Sequence, residues 1–122
     1  MNIRVGYVIL HVHDLNREVA FFRDVVGLPL QFSDESFHFA RFDGGGISFS
    51  VASSGEDSGP PEPAADRFSG IGFAVDDVDA AAREIKARGA RFTMEPSRQP
   101  WGGYMAMFAD PEGNLFYLDG AQ

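Results

Sequence analysis

Two histidines one residue apart, His11 and His13, are the first side chains in this sequence whose spacing could do chemistry. On an extended strand an H-x-H pair projects both imidazoles from one face, an arrangement that some zinc sites use. Zinc needs a third ligand, and no suitable one falls at a predictable position; His38 belongs to a different strand. The competing reading makes His11 a hydrogen-bonding wall or interface residue and His13 an exposed strand end. A second concentration lies near the C-terminus, in PWGGYMAMFADPEGNLFYL (100–118). Trp101, Met105, Met107 and Tyr117 are large and polarizable, so they either fill a core or line a pocket for a flat organic molecule. Cysteine is absent, which excludes disulfides and thiolate chemistry. There is no G-x-S-x-G and no H-E-x-x-H, and Gly44-Gly45-Gly46 joins two strands, so it is a turn and not a phosphate cradle. Asp76-Asp77 suits helix capping. Arg41 and Glu95 could supply charged contacts at the rim of a pocket, but each reads first as a solvated surface charge.

The elements that must position these residues come in two similar sets. Residues 5–13 (VGYVILHVH) are β-branched and aromatic and read as a strand. Asp14 is placed to cap a helix whose apolar face is Leu15, Val19, Phe22 and Val26, and Gly27 closes it. Strands are expected over 28–33, 36–42 and 47–52. The order then repeats: a strand at 70–75, an Asp76 or Asp77 cap, a helix with Val78, Ala82 and Ile85 inward, and Gly89 at its end. Strands at 91–95, 104–109 and 114–119 follow, the last two joined by Asp110-Pro111-Glu112-Gly113, a type I turn signature. The polar, Gly- and Pro-rich stretch between the sets is an exposed linker. The expected organisation is one domain over 1–122, with repeat one at 3–53, a linker at 54–67 and repeat two at 68–120.

A chain of 122 residues with 44% hydrophobic content supports one ordinary domain core, and twelve Phe demand burial. The net charge of −8 disfavours nucleic acid and anionic membranes as partners and mildly favours a cationic ligand. The apolar run from Val5 to Leu10 is too short for a membrane span or a signal-peptide core, which points to the cytoplasm.

Paired βαβββ units of this length, each opening on a strand and an Asp-capped helix, resemble the vicinal oxygen chelate superfamily. The motifs that carry the resemblance are HDLNREVAFFRDVVGL (13–28), FAVDDVDAAAREIKARGA (73–90) and PWGGYMAMFADPEGNLFYL (100–118), together spanning most of the chain. That superfamily includes glyoxalase I, extradiol dioxygenases and bleomycin-resistance proteins; QPWG followed by strand, DPEGN and strand is most similar to the last. The resemblance implies an α+β fold, two βαβββ repeats forming curved mixed sheets around a central cavity. In catalytic members a divalent metal in that cavity acts as a Lewis acid on paired substrate oxygens. Carried over by position, the ligand sites fall on Tyr7, Phe49, Gly70 and Tyr117, none a strong ligand for a hard divalent ion. The expectation is therefore no metal and no cofactor.

Period-two alternation then assigns faces. Tyr7, Ile9 and His11 turn to the open side of the sheet, with Val8, Leu10 and Val12 against the helices; Met105, Met107 and Tyr117 share the open side of the other sheet. The expected ligand-binding set is Tyr7, Ile9, His11, Phe49, Met105, Met107 and Tyr117, with Trp101 at the lip, where the resemblance implies stacking on planar rings. The alternative is that these residues collapse into a dry core or a dimer interface. The functional expectation is a metal-independent protein that sequesters an aromatic compound such as an antibiotic, or carries a metabolite, with a cationic group as one option for the ligand. It is expected to form a homodimer, because family cavities are commonly completed by a second subunit. The rival is a glyoxalase- or dioxygenase-like enzyme, using His11 and His13 for a metal, or His11 as a general base with Tyr7 or Tyr117 as donor.

Overall fold

Each half of the chain folds as strand, helix and three further strands. The computed structural model describes residues 1–54 and 66–120, and it divides into two compact units, Met1–Glu62 and Pro63–Gln122. The expected linker lies almost wholly outside the described residues. Among the described residues, no helix is long and apolar enough to cross a membrane.

In the first unit β1 (Tyr7–Val12) leads into α1 (Leu15–Ala20), and β2 (Leu30–Asp34), β3 (Phe39–Asp43) and β4 (Ser48–Ser53) follow. The sheet order is β1-β4-β3-β2, with β1 and β4 parallel and the other pairs antiparallel. Asp14 caps α1 as expected, its Oδ1 accepting the Arg17 N–H at 3.1 Å. The helix does not stay α-helical: Phe21–Val26 widens into a π-helical stretch. Both Gly27 N–H and Leu28 N–H bond back to the Phe22 carbonyl, at 3.0 and 2.9 Å. Gly27 stands at φ 91°, a left-handed value that favours glycine. Adjacent Phe21 and Phe22 are both buried there, with rings edge-to-face at 5.3 Å. Phe22 then packs on Phe42 and Phe49 to form the core of the unit.

The second unit runs β5 (Arg67–Val75), α2 (Val78–Ala87), β6 (Arg91–Arg98), β7 (Tyr104–Ala109) and β8 (Asn114–Gly120), in sheet order β5-β8-β7-β6. Asp77, not Asp76, is the helix cap, accepting the Ala80 N–H at 3.0 Å. Val78, Ala82 and Ile85 are buried beneath α2, as their spacing predicts. The core stacks Phe73, Phe108 and Phe116, with centroids 5.5–6.2 Å apart.

Two strands outrun their sequence signals because each contains a bulge. β5 begins at Arg67, upstream of the expected 70, and its register with β8 breaks between Phe68 and Ile71. Gly70 takes φ 76° at the break, and the Ser69 hydroxyl replaces a ladder bond by donating to the Leu115 carbonyl at 2.6 Å. β6 continues past Pro96 to Arg98 because β6 is an edge strand, and the proline sits where the register shifts. The first strand is shorter than expected, so Val5, Gly6 and His13 lie outside it.

Candidate functional site

Each unit covers one face of its sheet with its helix, and the other face is where the candidate residues gather. In the first unit, register fixes the faces: Val8 stands beside Phe49 and Leu10 beside Val51, all on the helix side. Opposite them, Tyr7 stands beside Ser48, Ile9 beside Ser50 and His11 beside Ala52. Tyr7 is 65% exposed and His11 is exposed. Phe49 is the correction. It is buried against Phe22 at 5.0 Å and Phe42 at 6.3 Å, so it belongs to the core and cannot line an open face. The β4 residues that do share the face of Tyr7 and Ile9 are Ser48 and Ser50. β3 adds Arg41, directly across from Ser50, and Phe39, across from Ala52; β2 adds Phe32, across from Arg41. Arg41 is thus not a rim charge but a central member of this face. A shallow hollow of about 230 Å³ lies in the same unit, lined by Gln31, Asp43, Gly46, Ile47 and Ser48.

In the second unit the side-chain bonds themselves identify the two faces. Tyr104 donates to Asp79 of α2 at 2.6 Å, and Lys86 of α2 pairs with Glu95, so both face the helix. The hydrogen bond to Asp79 pushes the Tyr104 phenol above its ordinary pKa. Their neighbours Met105 and Met94 accordingly turn the other way. Met107 pairs with both Met94 and Tyr117, and Met105 pairs with Ser97 and Asp119, so these residues form one half-exposed surface. Gln99 reaches into it, its amide 3.8 Å from the Met94 sulfur and 3.2 Å from the Ser97 hydroxyl. Met105, Met107 and Tyr117 therefore share the face that alternation predicts. Met94, Ser97 and Asp119 are not assigned by the sequence pattern, because counting by twos from Phe92, which packs on Phe108, across the register shift puts Met94 on the wrong face.

Trp101 sits in the turn between β6 and β7, closed by Gly102 N–H to the Gln99 carbonyl at 2.9 Å. It is 74% exposed. Its indole lies across Gly103 so closely that a Cβ there would meet Nε1 at 2.8 Å, so a larger residue at 103 would push the indole from this position.

The donor chemistry at the positions where the resemblance expects a divalent metal does not fit one. Register makes Ser48 the β4 neighbour of Tyr7, and the β5 neighbour of Tyr117 is Gly72, not Gly70, which lies in the bulge. Phenols, a hydroxyl and a glycine offer no charged or imidazole ligand near neutral pH. His13 lies beyond the end of β1, so it does not share the strand face of His11. Among the described residues no group of three or more His, Cys, Asp or Glu is arranged to hold an ion.

Comparison with known proteins matches this architecture. The family model described as Glyoxalase/Bleomycin resistance protein/Dioxygenase superfamily matches residues 4–118. YraH of Bacillus subtilis is 29% identical over 117 residues, covering 89% of this chain and 91% of that protein. CFP32 of Mycobacterium tuberculosis, which carries the provisional name of a glyoxylase, is 31% identical over 103 residues; the match covers 80% of this chain but only 36% of that protein. Among solved structures, a superfamily member from Sphaerobacter thermophilus has a TM-score of 0.81 at 24% identity, covering 98% of each chain. TioX from Micromonospora sp. ML1 has a TM-score of 0.77 at 23% identity, covering 98% of this chain and 99% of that one. At such identities the structural likenesses establish the fold.

Proposed function

We propose that this chain, which belongs to the Glyoxalase/Bleomycin resistance protein/Dioxygenase superfamily, is a metal-independent binder that sequesters or carries flat aromatic small molecules, antibiotics among them. The observation that supports this most is the open face of the second unit. Met94, Met105, Met107 and Tyr117 present an adaptable thioether and phenol wall there, with a carboxylate, Asp119, at one end. Thioethers adapt to varied ring systems and the phenol can orient a polar substituent. Asp119 and the net charge of −8 favour a ligand with a cationic group. At the positions where relatives would hold a hard metal ion, this chain has no fitting donors, which supports binding without metal-assisted turnover. The likeness of the QPWG–DPEGN segment to the bleomycin-resistance branch supports the same reading. A homodimer is part of the proposal, with the exposed Tyr7, on the edge strand β1, at the surface a second copy would cover.

Titration with planar aromatic cations, followed by emission of the single Trp101, tests the binding. Saturable quenching is expected, weakened by Met107→Ala and Tyr117→Phe. Native mass spectrometry of protein purified from its own host reads ligand, metal and oligomer together. A stoichiometric divalent metal lost on His11→Ala, or a monomer at every concentration, would overturn the corresponding part of the proposal.

A further inference from the structure

Arg41 is a cation on the open face of the first unit, and two neighbours hold its guanidinium. Its guanidinium carbon stands 5.8 Å from the centre of the Phe32 ring, and its Nε donates to Gln31 Oε1 at 3.3 Å. Those two contacts hold the plane of the group while leaving both terminal nitrogens to point elsewhere. Among the described residues no carboxylate pairs with it, although the sequence carries 18 acidic residues against 10 basic. The two acids on the same sheet face are engaged with their own turns. Asp43 Oδ1 accepts the Gly45 N–H at 2.8 Å, and Asp34 Oδ1 accepts both the Ser36 N–H and its hydroxyl.

The neighbours of the free fork suit a ring that carries a carboxylate. Ser50 lies directly across the ladder from Arg41 and is only 2% exposed, so it forms the floor beneath the guanidinium and leaves Arg41 as the donor a ligand would meet. Phe32 and Phe39, with ring centroids 6.3 Å apart, give the same face an aromatic side. The hollow of about 230 Å³ that Gln31 shares with Asp43 and Ser48 lies beside this cluster and is not lined by Arg41, Phe32 or Phe39, so the ring is held by the aromatic side of the open face and not by an enclosed cavity. A planar guanidinium with two parallel N–H donors matches a carboxylate bidentately, which an ammonium cannot do.

We infer that the open face of the first unit binds a small aromatic carboxylate, with Arg41 as the group that selects it. This goes beyond the binding reading for the second unit, which favours a cationic partner, and stands on different residues. The overall negative charge does not oppose it at contact range. At physiological ionic strength charges beyond roughly 8 Å are largely screened, whereas the guanidinium acts at hydrogen-bond distance.

The test is a titration of the full chain with benzoate and with its neutral isostere benzamide, followed by nitrogen-15 NMR. The amides of Arg41 and Ser50 and the Arg41 Nε–Hε resonance are the readouts. Benzoate is expected to shift all three saturably and to bind at least about tenfold more tightly than benzamide, in line with a charged hydrogen-bonded pair. Arg41→Gln should abolish that preference, and Arg41→Lys, which keeps the charge but not the fork, should lose most of it. Arg41 is exposed, so both variants are expected to fold, and their amide spectra report whether they do. Equal binding of the two probes, a preference that survives Arg41→Gln, or no benzoate response would overturn the inference. None of these outcomes touches the Trp101 titration, so the two proposals fail separately.

Discussion

Phe49 and Tyr117 show how one position in a ladder separates core from surface. Both are aromatic and both lie on strands in the interior of their sheets, yet Phe49 is 3% exposed under Phe22 while Tyr117 stands half-exposed on the open face. The energetic consequences differ accordingly. Phe49→Ala removes a ring from a close-packed three-ring cluster and is expected to cost about 3–5 kcal/mol in urea unfolding. Tyr117→Phe deletes one hydroxyl from a half-exposed phenol and should change stability by less than about 0.5 kcal/mol, with its effect confined to ligand binding. A Phe49→Ala variant as stable as wild type would show that the ring faces outward after all. Alternation alone could have placed Phe49 correctly had it started from Phe42, its ladder partner. Counting by likeness to relatives shifted it by one residue, and in a strand a shift of one exchanges the faces.

At the scale of elements, most of the architecture was legible because local signals agreed with one another. Asp14 and Asp77 cap where caps were expected, Gly27 and Gly89 take left-handed φ values at the helix ends, and β7 spans the expected residues. A turn forms at the expected residues, closed by the Gly113 N–H to the Asp110 carbonyl at 3.0 Å. Asp110 is 5% exposed and its carboxylate accepts from the Glu112 and Asn114 N–H groups and the Asn114 amide, which closes the β7–β8 hairpin. What periodicity did not reveal are the interruptions: the π-helical stretch after α1 and the register shifts in β2, β5 and β6, where extra residues in one strand disturb the pairing from which faces are counted. Arg41 escaped recognition for a related reason, since its meaning comes from Ser50 and Phe32 on neighbouring strands. The start of β5 is tied down by Asp66, whose carboxylate pairs with Arg91 of β6 at 2.7 Å, and by Arg67 N–H to the Gly113 carbonyl. The hydrogen bond from Arg91 holds the Asp66 carboxyl below its ordinary pKa. A carboxylate with a depressed folded-state value stabilises the protein above the ordinary carboxylate range near 4, and this is lost as pH falls through the lower folded value. The unfolding midpoint of Asp66→Asn should therefore lie below wild type at pH 7, by the small amount expected of an exposed pair, and the two should converge near pH 2. A difference that persists at low pH would assign the role of Asp66 to packing instead of charge.

At the scale of the whole molecule, the excess of acidic residues acts on encounter more than on contact. A net charge of −8 spread over 122 residues attracts a cationic ligand over the Debye length, roughly 30 Å at 0.01 M salt but only about 8 Å at physiological ionic strength. Once the ligand is seated, the thioether and phenol contacts on the second unit depend little on salt, because they are dispersion and burial. Ionic strength should therefore separate the two stages. In stopped-flow experiments read by Trp101 emission, the association rate of a planar aromatic cation is expected to fall several-fold as salt rises from 0.01 to about 0.15 M, while its dissociation rate stays nearly constant. Benzoate, whose contact group is Arg41 and whose exchange is followed by the line shapes of the Arg41 and Ser50 resonances, should show the opposite sign in its association rate, because screening removes the repulsion between a like-charged ligand and the protein. An association rate for the cation that ignores salt would mean that the acidic surface keeps the protein soluble and has no part in recognition.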